Sequence, residues 1–232
     1  MMIDKTGKHN ITPNMAAFKT AHLDPTSLDH RYAYYGIQRL FDIVASSIGL
    51  ILLAIPFLIV AFLIKRDDPQ DPVFYSQIRL GKHQRPFKMY KFRSMVVDAD
   101  KKLAELLKYN EIDGAMFKMK EDPRVTGIGR FIRKYSIDEL PQLVNVFKGD
   151  MTLVGPRPPL EREVDSYSEY AKQRLYVKPG CTGLWQVTGR NNVGFDDMVE
   201  LDLQYIEKSS FWFDLKIMFM TVKIMIWPNS AY

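Results

Sequence analysis

The chain has 232 residues and a mass of 27.0 kDa, with 47% apolar and 25% charged residues, room for one large domain or two small ones. That balance excludes a disordered tail, a collagen-like repeat and a mucin-like stalk. A formal charge of +5, from 32 Lys and Arg against 27 Asp and Glu, is concentrated locally and suits an anionic partner as well as it suits a solvated basic face, and the lone Cys181 excludes an intramolecular disulfide and a thiolate zinc centre.

Residues 1–30 are polar, mixed in charge and aperiodic, with Pro13 and Pro25 against a helix, and read as a flexible leader. They are not a cleaved signal peptide: the apolar run starts too late and is followed by Lys65-Arg66 rather than a small-residue cleavage site. The mean hydropathy of −0.18 hides that run, Ile43 to Ile64, which is 22 residues without one charge. The helical pattern starts at Leu28 with an aromatic, basic turn of Arg31, Tyr32, Tyr34 and Tyr35 suited to a headgroup interface. Arg39 and Asp42 stand three apart and are expected to neutralise each other. Pro56 interrupts the run, and both of its flanks are basic, with Arg31 and Arg39 before it and Lys65 and Arg66 after it. A single crossing normally leaves the richer Lys/Arg flank in the cytoplasm, so equal flanks favour residues 31–64 as a re-entrant helix bent at Pro56.

Past residue 66 the chain becomes aqueous, with Asp67-Asp68-Pro69 and Asp71-Pro72 as turn signals. Val73–Gln77 and Phe87–Met95 read as short extended segments around a turn at Gly81. Asp98–Tyr109 reads as an amphipathic helix, and further helices are expected at 127–135, 137–148, 160–174 and 196–208. Phe211–Trp227, with Lys216 and Lys223 on one face, reads as an interfacial helix lying on a bilayer, against the alternative of a core helix. The fold class is mainly α with short β segments: a Pro-broken membrane helix, interfacial amphipathic helices and one membrane-associated catalytic domain over 65–232.

Two stretches carry cations and no acid. Arg79 to Arg93 holds Arg79, Lys82, Arg85, Lys88, Lys91 and Arg93, and Pro123 to Ile137 holds Arg124, Arg130, Arg133 and Lys134. Aromatic residues interleave with the first, but a membrane-bound chain argues against a nucleic-acid partner. Phosphate-cradling glycine motifs and the HExxH zinc motif are missing, and four scattered histidines leave the chemistry to carboxylates and cations. Ser136 with Glu139 three residues later has the form of a capping box, with Asp138 adding charge at a helix start. The same placement puts an ionised Asp138 beside Arg133 and Lys134, where it can act as a nucleophile toward phosphorus. Arg157 sits between prolines that restrict its backbone, which suits a positioned guanidinium for phosphate as well as it suits a rigid surface turn.

Lys91-Phe92-Arg93-Ser94-Met95, Asp138-Glu139-Leu140-Pro141-Gln142, Gly149 through Pro158 and the Pro56-interrupted anchor together resemble the bacterial sugar transferase family, the monotopic phosphoglycosyl transferases. The likeness runs from about Tyr32 onward, with Thr152 where the family more often has Ser. Pro179 through Val187 and Gly189-Arg190-Asn191 resemble the branch of undecaprenyl-phosphate galactose and glucose phosphotransferases and exopolysaccharide-initiating enzymes, here in a short form without a multi-pass N-terminal region.

The resemblance implies transfer of a sugar 1-phosphate from a UDP-hexose to undecaprenyl phosphate, with loss of UMP and an aspartyl phosphosugar intermediate. It implies Asp138 as nucleophile, Glu139 as supporting carboxylate, and Mg²⁺ at both. Arg133, Arg157, Lys91 and Arg93 are the expected phosphate contacts. Membrane lipid is a further partner, a homodimer is compatible, and the location is the cytoplasmic face of the bacterial inner membrane. The rival reading is a membrane-anchored adaptor that binds anionic lipid or protein through its basic face.

Overall fold

A computed structural model describes residues 22–106, 108, 119, 121–188 and 194–227. Helices dominate, with a few short strands. Most of the leader and the Gly189-Arg190-Asn191 segment lie outside the described residues.

The end of the leader is ordered into α1, Pro25–Asp29, where Asp24 accepts hydrogen bonds from the Thr26 and Ser27 amides at 3.0 and 3.2 Å. Pro25 starts this helix instead of preventing one, because the first helical position needs no N–H. Leu28 is buried in the main core.

Helix α2, Tyr32–Leu52, is long and apolar enough to cross a membrane, by length and composition. Its polar residues recur every fourth position, Tyr34, Gln38, Asp42 and Ser46, and that stripe faces the protein. Ile37, Leu40, Val44, Ile48 and Ile51 face outward. Arg39 and Asp42 do not pair as expected. Arg39 donates to the Val146 and Phe147 carbonyls at 2.6 and 2.8 Å, and Asp42 accepts from the Leu153 amide at 2.9 Å. A cation is favoured at those carbonyls because they end a helix, so the backbone outcompetes the neighbouring side chain. The helix is interrupted at Leu53 and resumes as α3, Ala54–Asp67, with Pro56 in its first turn. On α3, Val60 and Ile64 are buried against Phe92 and Ile132, while Ile55, Leu58, Ile59 and Phe62 are exposed.

Strands β1, Phe74–Leu80, and β2, Pro86–Phe92, form an antiparallel hairpin in register from Phe74↔Phe92 to Leu80↔Pro86. The outer edge of β2 is closed by one side chain. The Tyr90 amide donates to Asn145 Oδ1 at 3.0 Å, and Asn145 Nδ2 donates to the Lys88 carbonyl at 2.7 Å, so a buried amide replaces a third strand. Helix α4, Ala99–Leu106, lies within the predicted amphipathic segment, and α5, Gly127–Lys134, starts at a Thr126 cap.

The expected continuous helix 137–148 is absent. Ile137–Glu139 is a 3₁₀ turn and α6, Gln142–Lys148, starts after Pro141, whose missing N–H cannot bond the Ile137 carbonyl as a through-running helix requires. The expected capping box fails as well, since Ser136 makes no side-chain cap and adopts φ 56°. The predicted 160–174 helix divides into α7, Glu161–Val164, α8, Glu169–Lys172, and a 3₁₀ turn at Gln173–Tyr176. A Ser168 cap restarts it, accepting from the Ala171 amide at 3.2 Å.

Two three-residue strands, β3, Thr152–Val154, and β4, Gly180–Thr182, pair in parallel. A Cβ on Gly180 would run into the Gly155 backbone, so the two glycine segments lock together. After α9, Leu184–Thr188, α10, Phe195–Lys208, supplies the main core with Val199, Leu201, Leu203 and Ile206. Helix α11, Phe211–Ile226, has two apolar faces. Ile217 is fully buried with Phe213, Met218 and Ile224 beside the core, and Trp212, Phe219, Val222 and Ile226 face outward.

Candidate active site

Ser136 adopts a left-handed backbone that costs a non-glycine residue about 1 kcal/mol or more, a cost that persists only where the surroundings impose it. The turn redirects the chain at the end of α5 and aims Ile137–Glu139 at β2. Asp138 is buried, with 7% of its surface exposed. Burial is the largest influence on its carboxyl and lifts the pKa to about 6; the Lys91 and Arg133 charges oppose this and Glu139 adds to it.

The Glu139 side chain is 34% exposed and meets Lys91 Nζ at 2.5 Å. Burial works to raise its pKa, but the Lys91 ammonium outweighs it, with Arg157 and Arg79 adding, and Glu139 is held below its usual range. The two neighbouring carboxyls are thereby driven in opposite directions. Such a split marks functional sites more often than chance.

Arg157 is placed by its backbone. Each carbonyl of Pro156-Arg157-Pro158-Pro159 has a donor: the Gly180 amide at 2.9 Å, Arg174 at 3.4 Å, Arg79 at 3.1 Å and the Leu80 amide at 3.0 Å, in that order. Arg174 is in turn fixed by a buried ion pair with Asp202 at 2.7 Å and by the Tyr167 hydroxyl at 3.0 Å. Arg157 therefore projects from a segment with no slack, as the prolines alone suggested.

Of the predicted residues, Lys91, Arg133 and Arg157 converge electrostatically on Asp138 and Glu139. Arg93 goes elsewhere: its Nε donates to the Pro72 carbonyl at 2.8 Å and its guanidinium lies over Tyr75. Arg79, noted only for its charge, joins the site. It is 6% exposed, lies 3.9 Å from Glu163, and burial together with the Arg157 charge lowers its pKa to about 10. The sequence carried no signal for it, because Phe74, Ile78 and Leu80 form the apolar side of the strand and put Arg79 on the opposite face. Asn145 was missed altogether, although Asn inside a helix is unfavourable enough to ask for a reason.

The profile of the bacterial sugar transferase family matches residues 33–228. The chain belongs to that family. It is 48% identical over 203 residues to the galactosyl transferase CpsE of Streptococcus agalactiae, a match covering 87% of the chain and 45% of the relative. It is 45% identical over 201 residues to the undecaprenyl-phosphate galactose phosphotransferase of Salmonella typhimurium, covering 84% of the chain and 42% of the relative. It thus spans less than half of both. The exopolysaccharide production protein ExoY of Rhizobium meliloti is 40% identical over 199 residues, 84% of the chain and 88% of the relative.

Among the described residues, no group of three or more His, Cys, Asp or Glu gathers into a complete protein cage for a metal. The two adjacent carboxylates still fit Mg²⁺, which commonly takes one or two protein carboxylates and completes its octahedron with water and substrate phosphate.

Proposed function

We propose that this chain transfers a sugar 1-phosphate from a UDP-hexose, galactose before glucose, to undecaprenyl phosphate and releases UMP, the first membrane step of exopolysaccharide, capsule or O-antigen synthesis. The observation that carries the reading is one buried carboxyl, Asp138, on a strained turn that faces Lys91, Arg133 and a backbone-fixed Arg157.

In the first step an Asp138 oxygen attacks the β-phosphorus; an aspartyl phosphosugar forms as the bond to UMP breaks. In the second step an oxygen of undecaprenyl phosphate attacks the same phosphorus, and Asp138 leaves as the carboxylate it began as. One phosphoanhydride replaces another, so no ATP is consumed. Lys91 and Arg157 hold donor phosphate oxygens and offset charge at the reacting phosphorus, and Lys91, with Arg133 adding, opposes the burial that raises the Asp138 pKa. Mg²⁺ held by Asp138 and Glu139 would supply further neutralisation of the diphosphate.

The acceptor is a lipid, so the site belongs at the bilayer surface. Helices α2 and α3 serve as the re-entrant anchor, broken at Leu53 because Pro56, in the first turn of α3, has no N–H for the Leu52 carbonyl, and residues 65–232 form the catalytic domain on the cytoplasmic face. Two features support this topology. The uncharged part of α2, Ile43 to Leu52, is about 15 Å long, half of the roughly 30 Å hydrocarbon core. Both flanks also reach the same body: Arg31 donates to the Ile206 carbonyl and Ser209, and the Ile128 amide donates to Asp67 at 3.5 Å.

The test is incubation with a panel of UDP-sugars, Mg²⁺ and undecaprenyl phosphate while UMP is measured. One donor should release UMP, and Asp138→Asn should abolish both that release and a protein-bound phosphosugar. Silence with every donor overturns the enzyme and leaves the adaptor.

A further inference from the structure

Arg79 is a buried cation whose hydrogen bonds all go to neutral groups. Its Nη1 donates to the Pro158 carbonyl at 3.1 Å and its Nη2 to Gln77 Oε1 at 2.9 Å, while Nε is buried without a partner among the described residues. Glu163 stands 3.9 Å away, beyond hydrogen-bond reach, and its Oε2 already accepts from the Leu160 amide at 2.9 Å. Burial and then the like charge of Arg157 work against the guanidinium, outweighing Glu163 and Glu139. A charge held in this way costs the fold stability, and an apolar side chain of similar bulk would serve packing better. Its placement calls for a reason other than stability.

The hairpin register supplies one. Tyr75 lies opposite Lys91 and Arg79 opposite Phe87, so Arg79 and Lys91 project from the same face of the hairpin. On that face Lys91 meets Glu139, and the Arg79 and Arg157 charges also act on Glu139. Arg79 thus joins two parts of the site that are far apart in sequence: the β1–β2 face that carries Lys91, and Pro158, the residue directly after Arg157. Prolines on both sides restrict the Arg157 backbone, so a donor fixed on the Pro158 carbonyl sets the direction in which the Arg157 side chain leaves the chain.

We propose that Arg79 is a positioning residue for phosphate binding, holding Arg157 at the Glu139 side of the site through the Pro158 carbonyl. The inference rests on the phosphate role of Arg157 in the transfer reading and adds a residue that touches no substrate itself.

Calorimetric binding of UDP with Mg²⁺ to the full chain in neutral detergent tests it without requiring turnover, in a cycle of Arg79→Met, Arg157→Ala and the double variant. Arg79→Met should weaken UDP by about tenfold when Arg157 is present and by less than about twofold when it is absent, since a residue that acts through another has nothing further to lose. Arg79→Lys, which keeps the charge and one donor for the Pro158 carbonyl, should recover most of the affinity. Arg79→Gln replaces Arg79→Met in the cycle if thermal unfolding shows that the methionine disturbs the fold. Equal losses in both Arg157 backgrounds overturn the proposal, because Arg79 would then act on the fold or on phosphate directly. A lysine variant as weak as the methionine one, or a wild type that binds no UDP, overturns it too. UMP release is measured separately. Release by wild type together with equal losses refutes the positioning role alone, and coupled losses in a chain silent with every donor refute the transfer alone.

Discussion

Lys91 acts on both carboxyls at once. Its ammonium lies 2.5 Å from Glu139 and opposes the burial of Asp138. Replacing it by Met keeps the bulk and removes the charge, so Glu139 loses the partner that holds it ionised and Asp138 loses its strongest opposing charge. UMP release should fall by roughly a hundredfold or more, the scale of losing one charge-stabilising donor at a reacting centre. A steady-state UMP assay checks this, and a loss below threefold would remove Lys91 from the site. Lys91, Arg133, Arg157, Asp138 and Glu139 were all legible because each sits in a quoted motif or an acid-free stretch. Arg93 and Arg79 were not separable on those grounds. Charge density places cations in a region, but only the hairpin register and the Pro72 carbonyl determine which of them turns inward.

At the scale of elements, the proline-arginine segment depends on a neighbour distant in sequence. The Gly180 amide holds the Pro156 carbonyl, and the Gly180 Cα lies against the Gly155 backbone. An alanine there must push β4 away from β3. Gly180→Ala should cost about 3 kcal/mol, at the upper end of ordinary overpacking, because backbone rather than a flexible side chain receives the methyl. Thermal unfolding in detergent measures the loss, and an unchanged midpoint would mean that the two strands are free to separate. Neither strand was legible, since three residues carry no measurable alternation. The same limit explains the broken helices: a 3.6-residue period survives in 137–148 although Pro141 forbids one continuous ladder. Long elements with intact periods, α5, α10 and α11, were readable almost to their ends.

Over the whole molecule the apolar residues are arranged inside out along α2. Tyr34, Gln38 and Asp42 bond inward, with Tyr34 and Gln38 meeting Asp214 of α11 at 2.8 and 3.2 Å, while the outward face is aliphatic. Exposed apolar side chains recur on α3, α5, α6 and α11, as Phe62, Phe131, Phe147 and Phe219, so the surface extends well beyond one helix. Exposed apolar surface on five helices is an aggregation liability in water that contact with a bilayer relieves. A helix crossing the whole bilayer would leave Arg31 and Asp67 on opposite sides. Here Arg31 bonds to the end of α10 and Asp67 to the start of α5, both within the domain that carries Asp138. Single cysteines placed in the leader and just after Lys65 should therefore react together with an impermeant thiol reagent in inverted vesicles, and neither should react from the periplasmic side of intact cells. Labelling of the leader alone from the periplasm would establish a crossing and require the Arg31 contacts to be broken in the membrane.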